Sequence, residues 1–165
     1  RQMPQKQALK SRILDKKDRK ILMILQENGR ESLTNIAKQV NLSIDSVNKR
    51  IKSMLDKGIF EFGIFVEPRS IGFPLVADIK IKLQNITEEQ KNSFVGYLKE
   101  HPRVIDLLSL MGDYDFTCVL IAKSTSELDK ISTEIRQKYS KLIADWKGML
   151  ILKTHKFEEY NMLAN

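Results

Sequence analysis

The residues best able to do chemistry fall in two short stretches. The first is Ser43 to Lys52, which carries Ser43, Asp45, Ser46, Asn48, Lys49, Arg50 and Lys52. Hydroxyls and ammonium groups hold phosphate oxygens, while Asn and Arg can pair with base edges in the major groove of DNA. Arg50 is the sharpest candidate, because a bidentate contact to guanine is worth roughly 1–3 kcal/mol of discrimination. The second stretch is Gly112-Asp113-Tyr114-Asp115. Its two carboxylates could hold an ammonium group and its phenol ring could pack on a ligand side chain. Gly112 and Asp113 are equally good residues for a plain hairpin turn.

No catalytic constellation is visible. The two histidines, His101 and His155, are not accompanied by Cys, His or carboxylate groups at metal-ligand spacing. There is no phosphate loop, no dinucleotide fingerprint and no motif placing a nucleophile beside a base. The sequence therefore offers no catalytic residue, no metal site and no cofactor, and reads as a binding protein rather than an enzyme.

The first stretch needs a scaffold, and its surroundings supply one. Leu33, Ile36, Ala37 and Val40 recur at helical spacing after a capping Ser32. Asn41 suits the left-handed turn that ends such a helix. Ser43 can cap a second helix running to about Lys57 and closed by Gly58, with Val47, Ile51, Met54 and Leu55 as its buried stripe. An earlier helix is expected from Asp15, with Ile21, Leu22, Ile24 and Leu25 inside and Gly29 at its end. Together these make a helix-turn-helix with a polar, basic second helix, the shape that enters a major groove. An ordinary helical hairpin with a solvated polar face would share the pattern.

Charge distinguishes the two. The chain carries a net +7, and residues 1–62 hold 14 Lys and Arg against 7 Asp and Glu, whereas residues 63–165 hold 14 of each. The whole excess therefore lies with the helix-turn-helix, the electrostatic footprint of a nucleic-acid module joined to something neutral. Residues 1–14 read as a basic tail or marginal helix, either a solvated terminus or an arm on DNA. The chain begins at Arg1, so an initiator methionine is expected to have been trimmed. The single cysteine, Cys118, lies in an apolar strand pattern, which points to a reducing compartment such as the cytoplasm. No apolar run reaches membrane-spanning length, so no membrane partner is expected.

Ile59 to Val66, IFEFGIFV, reads as an apolar strand, either a wing or a crossing to a second domain. Glu67 to Pro74 carries two prolines and a glycine and reads as a linker. Beyond it the period changes to two, with Leu75, Ala77, Ile79, Ile81 and Leu83 on one face. Thr87 and Gln90 suggest a capping box opening a helix to about Glu100. Strands are expected at Val104–Met111 and Phe116–Ala122, a helix after Ser124 or Ser126, and a last strand at Gly148–Phe157. The fold class is thus α+β. An N-terminal, plain or winged, helix-turn-helix domain (15–62) follows the tail (1–14). A strand and linker (63–74) lead to a C-terminal ferredoxin-like βαββαβ domain (75–165). Its helix-free sheet face would carry Leu107, Leu108, Leu110, Val119, Leu120 and Ile121, an apolar surface that predicts a homodimer. Two-fold symmetry would present two recognition helices to two half-sites on double-stranded DNA.

In order, the pieces LDKKDRKILMILQENGR, LTNIAKQVNLS, VNKRIKSMLDKGIF, EPRSIGFP and MGDYDF resemble the leucine-responsive/asparagine regulator (Lrp/AsnC, or feast/famine) family from Leu14 to about Phe157. The resemblance implies a transcription regulator that forms dimers and higher homo-oligomers such as octamers, and that often binds a free amino acid. It places that effector between dimers, near Gly112, Asp113, Tyr114 and Asp115. Two departures stand out. Ile44 replaces a frequent proline, and Trp146-Lys147-Gly148 lacks the hydroxyls of a Thr-x-Thr-like pair found in many amino-acid binders. The second implies either a different effector or none. Two other readings remain open. One is an architectural, weakly sequence-specific DNA-binding protein without effector. The other is a metabolite-binding or enzymatic ferredoxin-like domain with an incidental helical extension, which the segregated charge argues against.

Overall fold

The computed structural model describes residues 14–164, so most of the expected basic tail lies outside the described residues. The described chain divides into two units. One comprises the residues up to Ile64 together with those from Lys156 onward; the other is Phe65–His155.

The helical unit contains α1 (Lys16–Glu27), α2 (Leu33–Val40) and α3 (Ile44–Asp56). Each start is fixed by local chemistry. The Asp15 carboxylate accepts from the Lys17 and Asp18 N–H groups, and Asp18 returns the bond to the Asp15 N–H, closing a capping box. Ser32 and Ser43 accept from the Asn35 and Ser46 N–H groups. Asn41 takes φ +53, and the next N–H, that of Leu42, returns to the Ala37 carbonyl at 3.0 Å. That turn sets the angle at which α3 leaves α2. Ile21, Leu22, Leu25, Ile36, Ala37, Val40, Val47, Ile51 and Met54 form the core, while Ile24, Leu33 and Leu55, also expected inside, are partly buried at its edge.

The second unit is built from β1 (Leu75–Leu83), α4 (Glu88–Glu100), β2 (Val104–Ser109), β3 (Phe116–Ala122), α5 (Thr125–Lys138) and β4 (Ile143–Leu150). The antiparallel sheet has the order β2-β3-β1-β4, the ferredoxin-like arrangement. Ala77, Ile79, Ile81, Phe116, Cys118 and Leu120 pack on Phe94, Leu98, Ile131 and Ile135 of the two helices.

Four expectations are corrected. Ile59–Val66 forms no strand among the described residues; Ile64 is 83% exposed, because the helical unit offers no sheet edge for it to join. The last strand begins at Ile143, not Gly148, and ends at Leu150. Pairing with β1 fixes it, setting Trp146 opposite Ile81 and Gly148 opposite Ile79. Leu107 and Leu120 join the core rather than the helix-free face. Finally, Lys156–Ala164, expected in the ferredoxin-like domain, belongs to the helical unit.

Candidate nucleic-acid interface and effector turn

On α3, Val47, Ile51 and Met54 point inward, leaving Asp45, Lys49 and Lys52 exposed and Ser46 and Asn48 half-buried beside them. One helix thus presents an amide, two ammonium groups, a hydroxyl and a carboxylate, all of which can meet base edges or phosphates. Ser43 is committed to capping through its Oγ. Asp45 sits in the first turn, where the helix dipole favours a carboxylate.

Arg50 is placed differently from its neighbours. It borders the buried stripe, and its Nη1 donates to Asp15 Oδ2 at 2.6 Å and to Asp18 Oδ1 at 2.7 Å. The guanidinium therefore bridges α3 to the capping box of α1 instead of pointing outward toward a base. The Asp18 N–H and then Arg50 hold the Asp15 carboxyl below its ordinary range, and the two carboxylates raise Arg50 in turn. Sequence reasoning missed this role. The signal was present as the pair Asp15 and Asp18, two like charges at one helix start that call for a cation.

The Gly112–Asp115 turn is also unequal in its parts. Gly112 has φ +145, a region that favours glycine. The Asp115 carboxylate accepts the Leu83 N–H at 2.7 Å where β1 slips register against β4, and the Asp115 N–H donates to the Ile81 carbonyl at 3.0 Å. Asp115 thus serves the strand irregularity. The Tyr114 hydroxyl donates to Asp145 Oδ2 at 3.0 Å, a bond that raises its pKa and ties the turn to β4. Asp113 is exposed at the tip. Of the four residues, Asp115 is thus tied to β1 and Tyr114 to β4, while Asp113 stands exposed.

Two family models match. Residues 14–55 fit the AsnC-type helix-turn-helix domain, and residues 76–160, more than half the chain, fit the Lrp/AsnC ligand binding domain. The chain belongs to the Lrp/AsnC family. Like its relatives, it is a transcriptional regulator with a DNA-binding and a ligand-binding domain. It is 33% identical over 123 residues to the HTH-type transcriptional regulator Ptr1 of Methanocaldococcus jannaschii, covering 74% of this chain and 81% of that one. It is 28% identical to FL11 of Pyrococcus horikoshii, covering 87% and 92%. Among solved structures it resembles the transcriptional regulator NMB0573 of Neisseria meningitidis, described as an L-Met complex. There the TM-score is 0.78 and the identity 25%, covering 88% and 94% of the two chains. Escherichia coli AsnC shares the fold, with a TM-score of 0.78 at 22% identity over 90% and 99%. No described helix is long and apolar enough to cross a membrane.

In this Lrp/AsnC chain the helix-free sheet face is less apolar than the sequence suggested. Its centre is polar: Thr117 donates to Asp78, Lys80 donates to Thr117 at 3.0 Å, and Lys80 pairs with Asp78 at 2.8 Å. Val119 flanks this group on β3, where it pairs with Asp78, and Met149 flanks it on β4. Leu108 lies beyond it, 53% exposed.

Proposed function

We infer that the protein is a sequence-specific regulator that binds double-stranded DNA through α3, acts as a dimer or higher oligomer, and responds to a small amino-acid-type ligand. One observation carries the DNA reading. The polar stripe of Asp45, Ser46, Asn48, Lys49 and Lys52 stands within residues 1–62, the stretch of sequence that carries a net +7 while residues 63–165 are neutral. Lys49 and Asn48 are the base-edge candidates in this reading. Lys52 and Ser46 serve the backbone, and Arg50 is a positioning residue for α3. Pairing of two sheet faces around Asp78, Lys80 and Thr117 would set two such helices on two half-sites. Tyr114 and Asp113 are the ligand candidates, and the methionine bound by the Neisseria relative makes L-Met the first amino acid to try.

The test is fluorescence anisotropy on the duplex upstream of the protein's own gene and on a scrambled duplex at fixed salt, with and without free amino acids. A preference of a hundredfold, about 2.7 kcal/mol, supports specific regulation. Equal binding to the two duplexes with a steep salt dependence overturns it in favour of the architectural reading, which the segregated charge also permits.

A further inference from the structure

Lys156–Ala164 has no regular structure, yet it follows the outer face of α1. Gln26 engages the Tyr160 backbone in both directions: its Nε2 donates to the Tyr160 carbonyl at 3.0 Å, and its Oε1 accepts the Tyr160 N–H at 2.9 Å. The amide thereby imitates one rung of a β-ladder. One turn earlier the Met162 N–H approaches Met23 Sδ at 3.3 Å, and Arg19 Nη1 donates to the Met162 carbonyl at 3.0 Å. The Met162 side chain packs against the core of the helical unit. The same Arg19 guanidinium also holds the Leu14 carbonyl, just ahead of the α1 cap. Met162 lies beyond both stretches matched by the family models, which end at residues 55 and 160.

We propose that the outer face of α1 is a peptide-docking surface, and that its occupant, the C-terminal segment Lys156–Ala164, is a releasable strap that sets the stability of the DNA-binding helices. The geometry supports both halves of the statement. The partner is specific, because Gln26, Met23 and Arg19 read backbone groups at fixed spacing and a single apolar side chain fills the core edge. The strap is releasable, because the Tyr160 bonds are exposed to water, where exchange leaves little net gain per bond, and the Met162 bonds are only part-buried. Tyr160 and Leu163 remain 57% and 47% exposed, and Glu158 holds φ +44, a conformation that non-glycine residues seldom adopt. Release would loosen α1, whose capping box anchors Arg50 of α3.

The test is hydrogen exchange on the full chain, comparing wild type with Met162→Asp and Gln26→Ala and using β3 amides as the internal control. In Met162→Asp, α1 amides exchange at least tenfold faster while β3 is unchanged; Gln26→Ala gives a smaller change in the same direction. A synthetic peptide of residues 156–165 added to Met162→Asp restores protection, and the same peptide carrying Met162→Asp does not. If the variant unfolds the helices outright, restoration by the wild-type peptide supports the proposal and its failure overturns it. Exchange of α1 within twofold of wild type in both variants also overturns it. None of these readouts involves DNA, so the result stands apart from the function proposed above.

Discussion

Replacing Arg50 by alanine separates a positioning role from a base-reading one. Nη1 lies 2.6 Å from Asp15 and 2.7 Å from Asp18, with side-chain exposures of 30%, 51% and 18% in that order. Exposed ion pairs contribute roughly 0.2–1 kcal/mol, and hydrogen bonds to less exposed charged groups roughly 1.5–3 kcal/mol. Asp15 stands half in water, so its share falls in the lower range, while Asp18 lies nearer the upper. Arg50→Ala should then destabilise the helical unit by about 2–3 kcal/mol. Asp18→Asn keeps an oxygen for the capping-box bond from the Asp15 N–H while removing the charge, and should cost about 1 kcal/mol. The double variant should fall short of additivity by about 1 kcal/mol, read by denaturant-dependent hydrogen exchange in α1 and α3. On DNA, Arg50→Ala should weaken upstream and scrambled duplexes together, and Arg50→Lys should recover part of the loss. The reasoning is refuted if stabilities add within about 0.3–0.5 kcal/mol while discrimination between duplexes drops by roughly 1–3 kcal/mol. Arg50 would then leave its carboxylates to read a base.

Three other outcomes are expected. His101 accepts the Arg103 N–H on Nδ1 at 3.2 Å, and burial holds its pKa below the ordinary 6.5. The folded state thus favours the neutral ring. Its contribution is present above the unfolded pKa and lost as pH falls through the folded one, so His101→Asn should flatten the fall in thermal stability between neutral and mildly acidic pH. At the turn, Asp115→Ala strands the Leu83 N–H and should cost about 1–2 kcal/mol by thermal unfolding. Asp113→Asn should leave the melting temperature unchanged and remove any response to amino acids in the anisotropy assay. Burial pushes the Cys118 thiol up to about 12, so it should resist a thiol reagent at pH 8 and react only once denaturant opens the sheet unit.

What was legible in the sequence was local. Asp15, Ser32, Ser43 and Thr87 cap the helices expected to follow them, and Ser124, one of two serines offered for α5, caps that helix, because a cap needs only an oxygen and an N–H two or three residues on. Asn41 ends α2 for the same kind of reason. The β4 start was misplaced because Ile143-Ala144-Asp145 carries little strand signal and is held by β1 across the register slip at Lys82 and Leu83. Ile59–Val66 has strand composition without an edge to join. At the candidate sites, residue types marked the polar stripe of α3 and the turn, but not the commitments of Arg50 to α1 and Asp115 to β1. Those depend on residues far away in sequence, as does the docking of Met162 against Met23 and Arg19.

The path of the chain makes the sheet unit an insertion: the helical unit is left at Ile64 and re-entered at Lys156. An unstructured insert of roughly ninety residues would charge the strap a loop-closure entropy of about 4 kcal/mol for coming home. The folded insert removes most of that cost by holding its own ends together. Ala77 pairs with Leu150, and Arg69 donates to the Ile151 carbonyl at 2.8 Å. Docking of the tethered strap on α1 is therefore favoured by a folded sheet. A ligand that binds the folded sheet unit alone would, by mass action, favour the folded helices without touching them.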